Sequence, residues 1–215
     1  MTTRRLGFIM TVAALAVCWA AAASESAQKC KSKNPKQDFP ATGQTTSYRA
    51  DDDGDIQAGA TLSYTDNRDG TITDNNTCLV WEKKSDDGSI HDKDSVYTWD
   101  NAFDVHVAML NATNFAGYND WRVPNVKELQ SIVNYENFDP AVSPEFNNAC
   151  TPGCNGLNCS CTTGSVEYWS SSTKAFVPDP WVVDFSDGSV PSGPKGRGTG
   201  HVRAVRGGSN LGSSH

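Results

Sequence analysis

Six cysteines in the body of the chain set the tightest limit on how it can fold. Of seven in the sequence, Cys18 lies in an apolar N-terminal run, leaving Cys30, Cys78, Cys150, Cys154, Cys159 and Cys161. An even set in a chain routed to an oxidising compartment reads as a disulfide framework. Cys159 and Cys161 flank a single residue and cannot close on each other within normal bridge geometry. The simplest scheme joins Cys30 to Cys78 and pairs Cys150 and Cys154 with Cys159 and Cys161 in either of two ways. A Cys30–Cys78 bridge would close a loop of about 48 residues, worth roughly 4 kcal/mol on the chain-entropy account. Four thiolates at such spacing also suit zinc, but oxidation is the better reading for an exported chain.

The export signal is at the N-terminus. Arg4 and Arg5 precede an uncharged stretch from Leu6 to Ala23 that ends in Ala21-Ala22-Ala23. This is the layout of a signal peptide over residues 1–23, cleaved before Ser24. Val17 is too large for a lipobox before Cys18, so lipid anchoring there is not expected, and the mature chain carries no transmembrane segment. The expected location is periplasmic, secreted or cell-surface. A net charge of -7 argues against nucleic acid as a partner, because such binding rests on Lys and Arg neutralising phosphates.

Residues 24–60 are polar and read as a leader with little regular structure. From residue 61 the pattern tightens. Thr61 to Thr65 and Thr71 to Thr73 flank Asp69-Gly70, a hairpin turn, and Leu79-Val80-Trp81 follows as a buried strand. Trp99, Ala102, Phe103, Val107 and Leu110 recur at helical spacing and predict a helix over Thr98 to Asn111, capped by Thr98. Asn125 and Glu128 form a capping box for a second helix whose apolar face is Val126, Leu129, Ile132 and Val133. Asn134 to Gly164 is a long, cross-linked loop. Strands return at Tyr168 to Ser170, Trp181 to Phe185 and Val202 to Arg206, and residues 208–215 form a tail. This order describes one α+β domain over residues 61–207.

Six segments in order carry a resemblance. Asp69-Gly70-Thr71-Ile72-Thr73-Asp74, Thr77-Cys78-Leu79-Val80-Trp81-Glu82, Thr98-Trp99 with Ala102, Asp120-Trp121-Arg122-Val123-Pro124 with Glu128-Leu129, Tyr168 to Ser172 and Val202 to Arg206 resemble the Lcl C-terminal domain family of exported bacterial proteins. The resemblance implies a C-type-lectin-like fold, with two helices packed on a twisted antiparallel sheet and long disulfide-linked loops presenting a binding face. Members are associated with surface adhesion, including to sulfated glycans. Where the family usually has Gly after the Thr of its first Trp motif, this chain has Cys78, which fits an extra bridge to Cys30.

Trp81, Trp99, Trp121 and Trp169 sit among apolar neighbours and read first as core, since large aromatics dominate burial. Trp181, after Pro178 and Pro180, is the best candidate for an exposed sugar platform. Arg122, six residues before Glu128, suits a structural tie through its rigid five-donor fork. Lys195, Arg197, Arg203 and Arg206, with His201, form a basic cluster that suits a sulfate or carboxylate, or else a charged strand edge. Asp51, Asp53 and Asp55 invite calcium, although Ile56 stands where an EF-hand loop needs Gly. The four histidines show no ligand spacing. Neither a nucleophile elbow nor a His-Glu-x-x-His motif is present. The chain therefore reads as a non-enzymatic binding module for a glycan or surface protein, with no obligatory cofactor and self-association left open. The alternatives are a structural subunit of a surface assembly and a paired-carboxylate hydrolase.

Overall fold

A computed structural model describes residues 39–164, 167–194 and 198–207. The expected signal peptide, Cys18, Cys30, Lys195, Arg197 and the 208–215 tail lie outside the described residues. All those described belong to one compact unit, Ser32–His215.

The Asp69-Gly70 turn produces the expected hairpin. β1 (Tyr64–Asp66) pairs antiparallel with β2 (Thr71–Asp74), and Gly70 occupies φ 91°, where a side chain would be strained. β3 (Leu79–Glu82) pairs with β2 so that Ile72 faces Trp81, both fully buried. The four-stranded antiparallel sheet runs β1-β2-β3-β6, closed by the short C-terminal β6 (Val205–Gly207). A second sheet holds β4 (Glu167–Thr173) and β5 (Pro180–Asp184), paired antiparallel. The molecule is α+β, with two sheets and few helices.

Thr98 caps the first long helical rod through its hydroxyl, as expected. The rod is not uniform: α2 (Trp99–Asn101) passes into a π-helical stretch, Ala102–Val107, and then into α3 (Ala108–Ala112). His106 joins the buried face beside Ala102, Val107 and Leu110. α4 (Val126–Gln130) is short and carries the complete capping box of Asn125 and Glu128. The leader departs from its expected irregularity, because Asp52 accepts the Asp55 N–H and starts a single turn, α1 (Asp53–Ile56).

Two apolar clusters fill the interior. One joins Ile72, Leu79, Trp81, Leu129, Ile132, Phe146, Tyr168 and Phe185. The other packs Ala102, Leu110, Trp121, Trp169, Val182 and Val202 beneath the helical rod. The long loop is stapled by Cys150–Cys161 and Cys154–Cys159, which selects one of the two pairings the spacing left open. Cys78 is also disulfide-bonded; its expected partner, Cys30, lies outside the described residues. Among the described residues no helix is long and apolar enough to cross a membrane.

Candidate functional site

Glu82, at the end of β3, is the hub of a buried ion cluster. Its carboxylate takes His106 Nε2 at 2.8 Å, His91 Nδ1 at 2.8 Å, Lys84 Nζ at 3.3 Å and the Ala204 N–H at 2.9 Å. Burial alone would lift the Glu82 carboxyl, yet His106 and Lys84 beside it hold it well below the ordinary carboxylate range. Burial pushes His106 the other way, below its ordinary value of 6.5, despite the pull of Glu82. A neutral His106 donating from Nε2 fits the geometry. Its buried Nδ1 has no hydrogen-bond partner, which a bare lone pair tolerates and an N–H would not. Lys84, equally buried, is pulled down by desolvation more than Glu82 raises it.

Arg203 completes the cluster and corrects the sequence-based expectation for it. It is fully buried, not on an exposed strand edge. Its guanidinium donates to the carbonyls of Glu82 at 3.1 Å and Cys161 at 2.7 Å and to the Thr162 hydroxyl at 2.8 Å, and it lies 5.3 Å from the centroid of Phe146. Its work is to bind the stapled loop to the sheet. Arg206 is also engaged: it pairs with Asp120 at 2.6 Å and stacks 3.5 Å from the Tyr118 ring centroid. Of the expected basic cluster, Arg203 is buried and Arg206 is tied down, while Lys195 and Arg197 lie outside the described residues.

The other expected positions divide in the same way. Trp81, Trp121 and Trp169 are core residues. Trp99 is half-buried and donates to the Ser170 carbonyl. Trp181, expected to be the most exposed, is half-buried, with the Lys174 ammonium 6.0 Å from its ring. Arg122 forms the expected tie, gripping Glu128 with two bonds of 2.8 and 2.6 Å. The acidic leader does not draw its carboxylates together: Asp55 accepts the Asp51 N–H, and Asp53 accepts the Thr42 hydroxyl. The carboxylates that do converge are Asp86, Asp92 and Asp94, within 4.8 Å of one another, and the Lys93 ammonium already sits among them.

One open feature was not singled out in the sequence. A groove of about 720 Å³ runs beside α4. Leu79 and Val133 contribute buried apolar surface to it, while Phe39 and Tyr135 stand exposed on its lining. Thr42, Thr77, Asn125, Lys127, Gln130 and Ser131 add hydroxyl, amide and ammonium groups. The Tyr135 ring is held by its hydroxyl, which donates to the Gly188 carbonyl at 3.3 Å, and by its own N–H, which donates to the Thr42 carbonyl at 2.9 Å. Gly188, at φ 81°, leaves that ring its space: a Cβ there would come within 2.5 Å of Val133 and 2.8 Å of Tyr135. The groove joins residues 39–42, 77–79 and 125–135. No local motif could reveal it, because its parts meet only in the fold.

A disulfide-stapled α+β domain with a buried ion cluster and, on its surface, a mixed apolar and polar groove is the class these features define. The chain belongs to the Lcl C-terminal domain family, whose profile matches residues 70–206. No curated protein matches the chain in sequence.

Proposed function

We propose that this protein is an exported, surface-exposed, non-enzymatic binding module of C-type-lectin-like fold that recognises a glycan, or a protein that presents one. Family membership supports surface exposure, and the disulfides suit an oxidising compartment outside the inner membrane. The observation that carries the reading is the groove beside α4. Exposed aromatic faces of Phe39 and Tyr135 offer the flat apolar surface on which sugar C–H faces stack, and the neighbouring amides and hydroxyls offer hydrogen bonds to ring hydroxyls. A few polar groups set in a largely apolar concavity is the general form of a ligand site.

The hydrolase alternative draws less support. Glu82, the one fully buried carboxylate among the described residues, is saturated by its own network rather than aimed at a cleft. The assembly alternative has one observation in its favour. The β4–β5 hairpin tip places Phe176 fully in solvent, with Val177 beside it, the kind of apolar tip that subunit contacts cover. A monomer at all concentrations in sedimentation would remove that reading.

The test of recognition is a glycan array probed with the purified protein in calcium, in chelator and at high salt. Saturable binding to a defined sugar class is expected. Loss in chelator would point to calcium at the acidic segments, including Asp51, Asp53 and Asp55, and loss at high salt to cations such as Lys127, Lys195 and Arg197. A blank array contradicts glycan recognition.

A further inference from the structure

A second, smaller hollow of about 200 Å³ lies between the β1 end of the sheet and the cross-linked loop. Asp66 and Lys83 line it from the sheet, Glu145 from the 3₁₀ turn Pro144–Phe146, and Asn148, Asn158 and Ser160 from the loop. The Cys154–Cys159 bridge closes the turn that carries Asn158 and places Cys159 on the wall. Reciprocal backbone bonds between Asn148 and Ser160, 2.8 and 2.9 Å, fix the two sides of the loop to each other. The wall is therefore preorganised by covalent and hydrogen-bonded links.

Its polar groups are incompletely used. The Lys83 side chain is 2% exposed and its ammonium bonds Asp66 at 2.9 Å, which engages one of three N–H donors. The Ser160 hydroxyl is sealed from solvent and has no hydrogen-bond partner, a state that buried polar groups rarely keep. Among the described residues, the Glu145 carboxylate and the Asn148 amide make no hydrogen bond or ion pair.

We propose that this hollow is a pocket for one neutral hexose unit. A sugar ring carries hydroxyls that both donate and accept, and the wall offers both: ammonium and amide N–H groups to give, carboxylate, amide and hydroxyl oxygens to receive. The volume lies below the roughly 300–1,000 Å³ of pockets that hold larger ligands, so it suits a single ring and not a chain. Lys83 and Asp66 cancel in charge, and Glu145 leaves the wall net negative. This disfavours a sulfated or carboxylated sugar. The pocket is separate from the groove beside α4, and the hexose proposal stands whether or not the groove binds glycan.

Saturation-transfer NMR on the intact protein tests it, with glucose, galactose and mannose as probes and glucuronic acid and glucose 6-sulfate as comparators, each at about 10 mM. At least one neutral hexose is expected to give saturable signals with a dissociation constant near 1 mM, and the acidic sugars signals at least about tenfold weaker. Asn148→Trp, at an exposed position on the pocket lining, should abolish the hexose signal without moving the melting temperature. Ser160→Ala should weaken it several-fold. Absence of signal from all three hexoses overturns the proposal. So does binding that survives Asn148→Trp, or acidic sugars that bind as well as neutral ones.

Discussion

Glu82 shows how much one residue carries here. Its carboxylate is fully buried and answers two histidines, a lysine and a backbone N–H. Breaking a buried ion pair by removing one charge typically costs about 3–5 kcal/mol. Glu82→Gln is expected to lose stability in that range, because Lys84 and Arg203 would remain buried with less compensation; urea unfolding measures it. The same cluster makes the fold sensitive to acid. His106 has a folded pKa below its ordinary 6.5, so the unfolded chain takes up that proton first and stability declines as pH falls below 6.5. Glu82, depressed below 4.5, stabilises the fold above that value and loses the contribution as pH falls further, toward its folded pKa. Unfolding free energy measured from pH 8 to 3 should show both declines, and His106→Gln should reduce the earlier one, which His201, also held below 6.5 by burial, shares. A profile flat down to pH 5 would contradict the assignment of His106. None of this was legible in sequence. Glu82, Lys83 and Lys84 are consecutive charges that look like a solvated strand end, and all three are buried. Arg203 misled because its neighbours in sequence, Lys195, Arg197 and Arg206, suggest a solvated basic cluster, whereas the fold buries it. Arg122 was legible because its partner, Glu128, is local.

Local chemistry at the element scale was read more accurately. The Asp-Gly hairpin, the Thr98 cap and the Asn125–Glu128 capping box are written in adjacent residues and appear as expected. Asn125 accepts the N–H groups of Lys127 and Glu128. Asn125→Ala should therefore cost about 1 kcal/mol, with a matching fall in thermal midpoint. The π-helical turn at Ala102–Val107 was missed, because 3.6-residue periodicity cannot register one wider turn. Disulfide order is an element-scale matter too. Peptide mapping of the oxidised protein should return Cys150–Cys161 and Cys154–Cys159; the crossed pairs would contradict the loop geometry. Gly188 links turn and groove. Gly188→Ala should destabilise by about 1–3 kcal/mol, from left-handed backbone strain together with the clash against Val133 and Tyr135.

For the whole molecule, burial and openness divide the roles. Arg203, which the sequence offered for binding, is spent inside, where its bonds to the Glu82 and Cys161 carbonyls join sheet to stapled loop. The open surface is assembled from segments distant in sequence, so a groove beside α4 and a small polar pocket behind Cys154–Cys159 become visible only after folding. Family membership was legible because its motifs are largely core and turn residues; the ligand was not, because the faces that would meet it are built from loops. The central claim is that the groove recognises glycan through its exposed aromatics. The most direct measurement is calorimetric titration of an array-identified glycan into the wild type and Tyr135→Ala, with melting temperatures recorded for both. The account predicts at least about tenfold weaker binding, near 1.4 kcal/mol, with the variant still folded at the titration temperature. Equal affinity in the two proteins would contradict it.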